Sequence, residues 1–256
     1  MQIVIMVGFL IVLGVVLLVN GLSADGLTGA ALNVRFRPVY EVVSWLPVLP
    51  ALFGAFWGAP VLAREFERGT HKLTWSQSVP RWRWLTAKLG GLGLIVTLAG
   101  LAFGLMVKAW LNAFGSTHLA AAFGNSGLFA ISGVAPAAWW LFGFMLGAAA
   151  GAMTRRMLPA IAVAIAVVVV VMVGVFGFRE SYATPEVFDS SVVGPAELEA
   201  KLSDSIVAGY EPDRTTIHLH PAARYWQFQW TEAGLLFAGT LALGGVAVFG
   251  ALRRRV

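Results

Sequence analysis

Cysteine is absent from this 256-residue chain, so it has no disulfide, no thiolate metal site and no cysteine nucleophile. Charge is scarce as well. Asp, Glu, Lys and Arg make up 12% of the residues, about half the ~25% usual in soluble domains. At 58% hydrophobic, the chain carries more apolar surface than a water-soluble core of this size can hide. A bilayer solvates that excess, provided that helices satisfy the backbone polar groups internally. The sequence also lacks a GxxxxGK[ST] loop, an HExxH, a GxSxG and a paired-aspartate arrangement. The chain is therefore expected to be no enzyme and to bind no cofactor, and any ATP hydrolysis that serves it belongs on another polypeptide.

What is present is a set of long apolar runs at about 3–22, 42–63, 84–107, 134–153, 158–178 and 233–252, uncharged except for Lys88 near the start of the third. Each is close to the ~20 residues that a helix needs to cross a ~30 Å hydrocarbon core. The expected fold is all-α integral membrane, one transmembrane domain over 1–256 with six helices. The first run follows Met1-Gln2 with no positive start, which argues for a retained helix rather than a cleaved signal peptide. Pro47, Pro50 and Pro60 predict kinks in the second. Residues 111–132 are uncharged but rich in Gly, Ala, Ser and Asn, and read as a short external or re-entrant connection, as 23–41 reads as an external loop. Lys108 is expected to snorkel to water.

Lys and Arg set the topology. Arg64, Arg68, Lys72, Arg81, Arg83, Lys88, Arg155, Arg156, Arg253, Arg254 and Arg255, eleven of eighteen basic residues, fall on one side of the six-span arrangement. By the positive-inside rule that side is cytoplasmic, with both termini on it. Lys88, Arg155, Arg156 and Arg253 to Arg255 act as topology anchors, so the net charge of +5 calls for no nucleic-acid partner. The long segment 179–229, between helices five and six, holds eight acids against four bases and falls outside. Within it, 195–206 has a helical pattern. His218 and His220 sit two apart on an extended IHLHP segment, too few ligands for a metal site. Glu41 and Glu232 lie only at span edges, which weakens an ion-coupled carrier, since such a carrier needs an ionisable group inside the membrane.

The densest polar stretch is 58–88, GAPVLAREFERGTHKLTWSQSVPRWRWLTAK. It carries too many charges to lie in lipid, and its loop spans 64–83. The second helix is expected to run on to Arg68 and stop at Gly69, with Thr70 capping a short helix over 71–78 before Pro80. Leu73 and Trp75 would then point about 200° apart, one to the membrane domain and one to a partner.

That stretch resembles the loop between the second and third spans of type-2 ABC transporter permeases, particularly those of actinobacteria. The family pattern is an acidic helix end, Gly-Thr, a short helix with Leu, Pro or Ser before Arg, and Lys at the next span. Glu65, Glu67, Gly69, Thr70, Leu73, Ser78, Arg81 and Lys88 match it. The resemblance implies the membrane half of an exporter: two permease subunits, identical or related, above an ABC ATPase dimer that binds ATP and Mg²⁺. The loop would be the coupling helix, with Trp75 and Gln77 added to the ATPase interface. A bacterial cytoplasmic membrane and a hydrophobic or amphipathic cargo, as in multidrug or antibiotic efflux, are the corresponding expectations. Relatives commonly open with an amphipathic helix on the inner surface, whereas Met1 here leads straight into the first span. The rival reading from another class is a non-transporting membrane sensor or immunity protein that binds a ligand through its external loop.

Overall fold

The computed structural model describes residues 2–68, 80–115, 123–203, 205–211 and 215–253. Among them, six helical stretches are long and apolar enough to cross a bilayer: Gln2–Leu22, Gly29–Glu67, Trp82–Ala113, Ala135–Thr154, Met157–Tyr182 and Ala222–Leu252. Much of their outward surface is bare hydrocarbon, including Val4, Ile11, Val15 and Val19 on the first and Leu158, Val170 and Val173 on the fifth. Lipid covers such surface; water would not tolerate it.

The elements are α1 (Gln2–Leu22), α2 (Gly29–Val43), α3 (Leu49–Phe53), α4 (Ala59–Glu67), α5 (Arg81–Ala113), α6 (Ser126–Ile131), α7 (Ala135–Thr154) and α8 (Met157–Phe178), followed by β1 (Glu186–Asp189), α9 (Pro195–Ser203), β2 (Ser205–Tyr210), β3 (Thr216–Pro221) and α10 (Tyr225–Leu252). The second crossing is a composite. Pro47 and Pro50 stand at the starts of its 3₁₀ turn and of α3, where a missing N–H costs nothing. A π-helical stretch, Gly54–Gly58, joins α3 to α4 ahead of Pro60. Pro60 has no N–H for the carbonyl of Phe56 four residues back, and the Gln2 side-chain amide donates to that oxygen at 3.0 Å.

At the centre stands α7, which packs against α3, α4, α5, α8 and α10. Its approach to the second crossing is set by small residues. A Cβ on Gly143 would come within 2.1 Å of the Pro50 carbonyl oxygen, one on Gly147 within 2.0 Å of that of Gly54, and one on Gly151 within 2.6 Å of that of Ala59. Gly54 and Gly58 answer from the other side, meeting the carbonyls of Gly143 and Phe144. The spacing of four along each helix keeps these glycines on one face, and backbone meets backbone with no side chain between. On α5, Gly100 and Gly104 do the same for the residues leading into α7, and the Gly133 N–H donates to the Gly104 carbonyl at 3.0 Å. The remaining faces of α7 are aromatic: Trp140 packs between Phe53 and Phe103, with ring centroids 4.3 and 5.2 Å away.

Several expectations change. Residues 29–43 form a helix rather than an open loop, because Phe36 stacks on Trp110 at 5.0 Å and gives the segment an apolar side. The spans at 84–107 and 233–252 belong to longer helices, α5 and α10, whose ends are too polar to read as membrane segments. Residues 126–131 form the buried helix α6. The acid-rich segment after α8 contains a helix that ends at Ser203, short of the 195–206 expected, because Ile206 joins β2 of a three-stranded antiparallel sheet of order β1-β3-β2.

Replacing Gly147 by Ala should lower stability by about 1–3 kcal/mol, because the helices must separate to admit the methyl group. Gly174→Ala on α8, where the added Cβ meets nothing within 4 Å, should leave it unchanged. Denaturant unfolding in detergent micelles measures both.

Candidate functional site

The polar island is rooted where α4 ends, α5 begins and α7 turns into α8. Glu65 pairs with Lys88 on α5, whose ammonium also donates to the Val61 carbonyl at 3.2 Å. Lys88 lies over the Trp84 ring at 4.8 Å, so its charge is shared between a carboxylate and a π face. Two residues on, Glu67 leaves α4 in another direction and accepts from the Met157 N–H at 2.8 Å. That N–H is one of the unpaired donors at the start of α8, and a carboxylate there also complements the helix dipole.

The α7–α8 turn is built for this contact. Arg155 takes the left-handed conformation, φ 55°, and its N–H closes the end of α7 on the Gly151 carbonyl at 3.0 Å. Its guanidinium sits 4.9 Å from the Phe66 ring centroid, beside the two acids of α4. Side chains of α4 and α5, the Arg155 side chain from the α7–α8 turn and the first N–H of α8 thus meet beside the loop. Arg156 and Arg253 are exposed on the same face. Arg81 opens α5. Gly69, Thr70, Leu73, Trp75, Gln77, Ser78, Arg254 and Arg255 lie outside the described residues, as does the short helix expected at 71–78.

A second polar cluster stands at the opposite end of α7, where the sequence places Glu232 at a span edge and Arg179 in the external segment. Glu232 is fully buried, because α10 begins at Tyr225 and takes this residue two turns into the helix rather than leaving it at an edge. Its Oε2 accepts from Arg179 Nε at 3.0 Å and Nη2 at 2.8 Å, and its Oε1 accepts from Trp139 Nε1 at 2.7 Å. Arg179, 2% exposed, is further held by the Ser126 carbonyl and by the faces of Phe129 and Phe176. One turn earlier, Gln229 Oε1 accepts from the N–H groups of Val134 and Ala135 at 3.0 and 2.8 Å, while its amide donates to the Phe129 carbonyl. Pro136 needs no partner, so the start of α7 is satisfied without water. The signal was the pairing of a lone Arg just after one span with a Glu just before another. Helix ends set by hydropathy alone placed both in solvent.

Next to this cluster the sheet is pinned down. His220 is buried, with Nε2 donating to the Glu180 carbonyl at 2.8 Å and its ring against Phe228. Arg224 binds the Thr184 carbonyl and Glu186. His218 instead faces Glu211 at 3.5 Å, so the two histidines have separate partners.

Arg179→Met should cost about 3–5 kcal/mol, since it strands a buried carboxylate. Adding Glu232→Gln should recover most of that loss, because Gln still accepts from Trp139. Thermal unfolding of the single and double variants in detergent tests the pair.

Comparison with known proteins agrees with the helical frame. A family model described as ABC-2 membrane transporter related matches residues 8–179, from α1 to the end of α8. No curated protein and no solved structure gives a match. The matched region contains the island, its root and the central helix, and the chain belongs to the ABC-2 membrane transporter related family.

Proposed function

We propose that the chain is the membrane-spanning permease subunit of an ATP-driven exporter, with residues 64–81 as the element that takes up movement from a separate ATPase. The island-bearing, arginine-rich face is cytoplasmic in this reading, and two permease subunits stand above two ATPase subunits that bind ATP and Mg²⁺. The membrane is the bacterial cytoplasmic membrane. The observation that carries the reading is the root of the island. Glu65 ties α4 to α5, Glu67 ties α4 to α8, and Arg155 ties the α7–α8 turn to α4. A force applied to the loop between them therefore reaches every helix that these contacts join around α7.

Rigid helices transmit such a force better than flexible ones. The π-helical stretch Gly54–Gly58 gives the second crossing a place to bend, next to the glycine contacts with α7. Bending of the second crossing at that stretch then changes the spacing of helices around the central one, which is what an alternating pathway requires.

In vesicles holding the permease and its ATPase, Leu73→Asp and Trp75→Asp should abolish transport while ATP hydrolysis continues. Transport equal to that of the unaltered chain, or failure of any nucleotide-binding protein to co-purify in mild detergent, would overturn the reading.

A further inference from the structure

Helices α5 and α10 meet at the sheet-bearing end of the domain and leave a groove between them over α7. The joint is Lys108. Its ammonium lies 3.6 Å from the Trp226 ring centroid and 5.1 Å from that of Tyr225, and among the described residues no carboxylate pairs with it. The groove has a volume of about 1070 Å³ and an almost wholly apolar lining, with Leu141 on its floor, Gly93 and Thr97 on one wall and Gly234 and Phe237 on the other. The α5 wall runs from Thr86 to Leu101, roughly 22 Å at 1.5 Å per residue. That exceeds half of a ~30 Å hydrocarbon core, so one extended acyl chain fits along it.

In a bilayer, an apolar groove alone selects nothing, because lipid tails already solvate it. Selection has to come from polar groups beyond its end. Neither Lys108 nor its two rings line the cavity; Lys108 lies on the Leu101 face of α5, roughly 10 Å further along at 1.5 Å per residue, and is the cation that the groove points toward. An anion completes it; a neutral or cationic head does not.

We propose that this groove binds an anionic phospholipid, with its acyl chain along α7 between α5 and α10 and its phosphate on Lys108. This names a ligand class for the permease proposed above and rests on that reading only for the consequence of binding, not for binding itself.

The test is native mass spectrometry of the full chain in detergent, titrated with dioleoylphosphatidylglycerol or dioleoylphosphatidylcholine. The anionic lipid should bind more tightly. Lys108→Gln should weaken it about fivefold, the effect of one basic residue near an anionic head, and weaken the zwitterionic lipid less, because the choline cation offsets its phosphate; Lys108→Arg should restore the anionic lipid. Gly234→Leu, whose Cβ has open space, should keep the helical content and lose both lipids. Equal affinity for the two lipids, full affinity in Lys108→Gln, or lipid retained by Gly234→Leu would overturn the proposal. So would a lipid-free dimer that Gly234→Leu splits, since the groove would then be a protein interface. Because binding needs no ATPase, its failure beside intact coupling refutes this site alone, and lost coupling beside intact binding refutes only the permease reading.

Discussion

The contact on which the rest depends is the close approach of α7 to the second crossing. Helices in lipid gain no hydrophobic free energy by touching, since the tails they displace are as apolar as leucine. What holds them is dispersion between closely packed atoms, and glycine at 54, 58, 143, 147 and 151 allows the densest packing that two helices can reach. With α7 fixed there, its other faces are left for large side chains. Trp140 fills the space between Phe53 and Phe103, and Trp139 is turned toward Glu232. The interior is therefore divided: backbone contact on one side of the central helix, aromatic filling and polar bonding on the others.

The two ends of α7 differ in kind. At its start, polar groups find their partners inside the protein: Gln229 serves the first N–H groups, Tyr225 and Ser132 share a hydrogen bond at 2.9 Å, and the Arg179–Glu232 pair is closed by Trp139. Such a network resists movement, because any displacement leaves a buried charge or donor unsatisfied. At the other end, the contacts of Glu65, Glu67 and Arg155 are partly exposed and spread over separate helices. Breaking and remaking them against water costs little. A domain held firmly at one end and loosely at the other will move, if pushed, at the loose end.

The six crossings were legible in the sequence because hydropathy reports what lies in lipid, and the runs at 3–22, 134–153 and 158–178 lie close to α1, α7 and α8. It reports nothing about helix that continues past the bilayer, which is why α5 and α10 were read short and Glu232 was placed at an edge. The helix at 29–43 was hidden by Arg35, Arg37 and Pro38, while its reason for folding, the stack of Phe36 on Trp110, depends on a residue more than seventy positions away. Strand β3 was legible as the extended IHLHP segment and closes a hairpin with β2, whereas its pairing with the distant β1 leaves no trace in the local pattern. Of the island, Glu65 and Glu67 were legible as the acidic end of the second helix before Gly69. Their partners Lys88 and the Met157 N–H were not, since both are set by how α5 and α8 stand beside α4.

Finding Glu232 inside a helix reopens the question of an energy source within the chain, because a buried carboxylate is what an ion-driven carrier uses. Its surroundings answer it. A carrier's carboxylate must lose and regain its proton, so in one state it needs room for water or an ion. Both oxygens of Glu232 are instead occupied, one by a guanidinium gripping through two nitrogens and the other by an indole N–H, and Arg179 is itself enclosed by two aromatic faces. Moving Glu232 away from Arg179 would leave an uncompensated buried cation, and the cost of that opposes any cycle built on it. The pair is better understood as a strut joining α8, α10 and α7 where the sheet meets the membrane helices. In the permease reading proposed above, work comes from outside and enters at the arginine-bordered loop of the loosely held end.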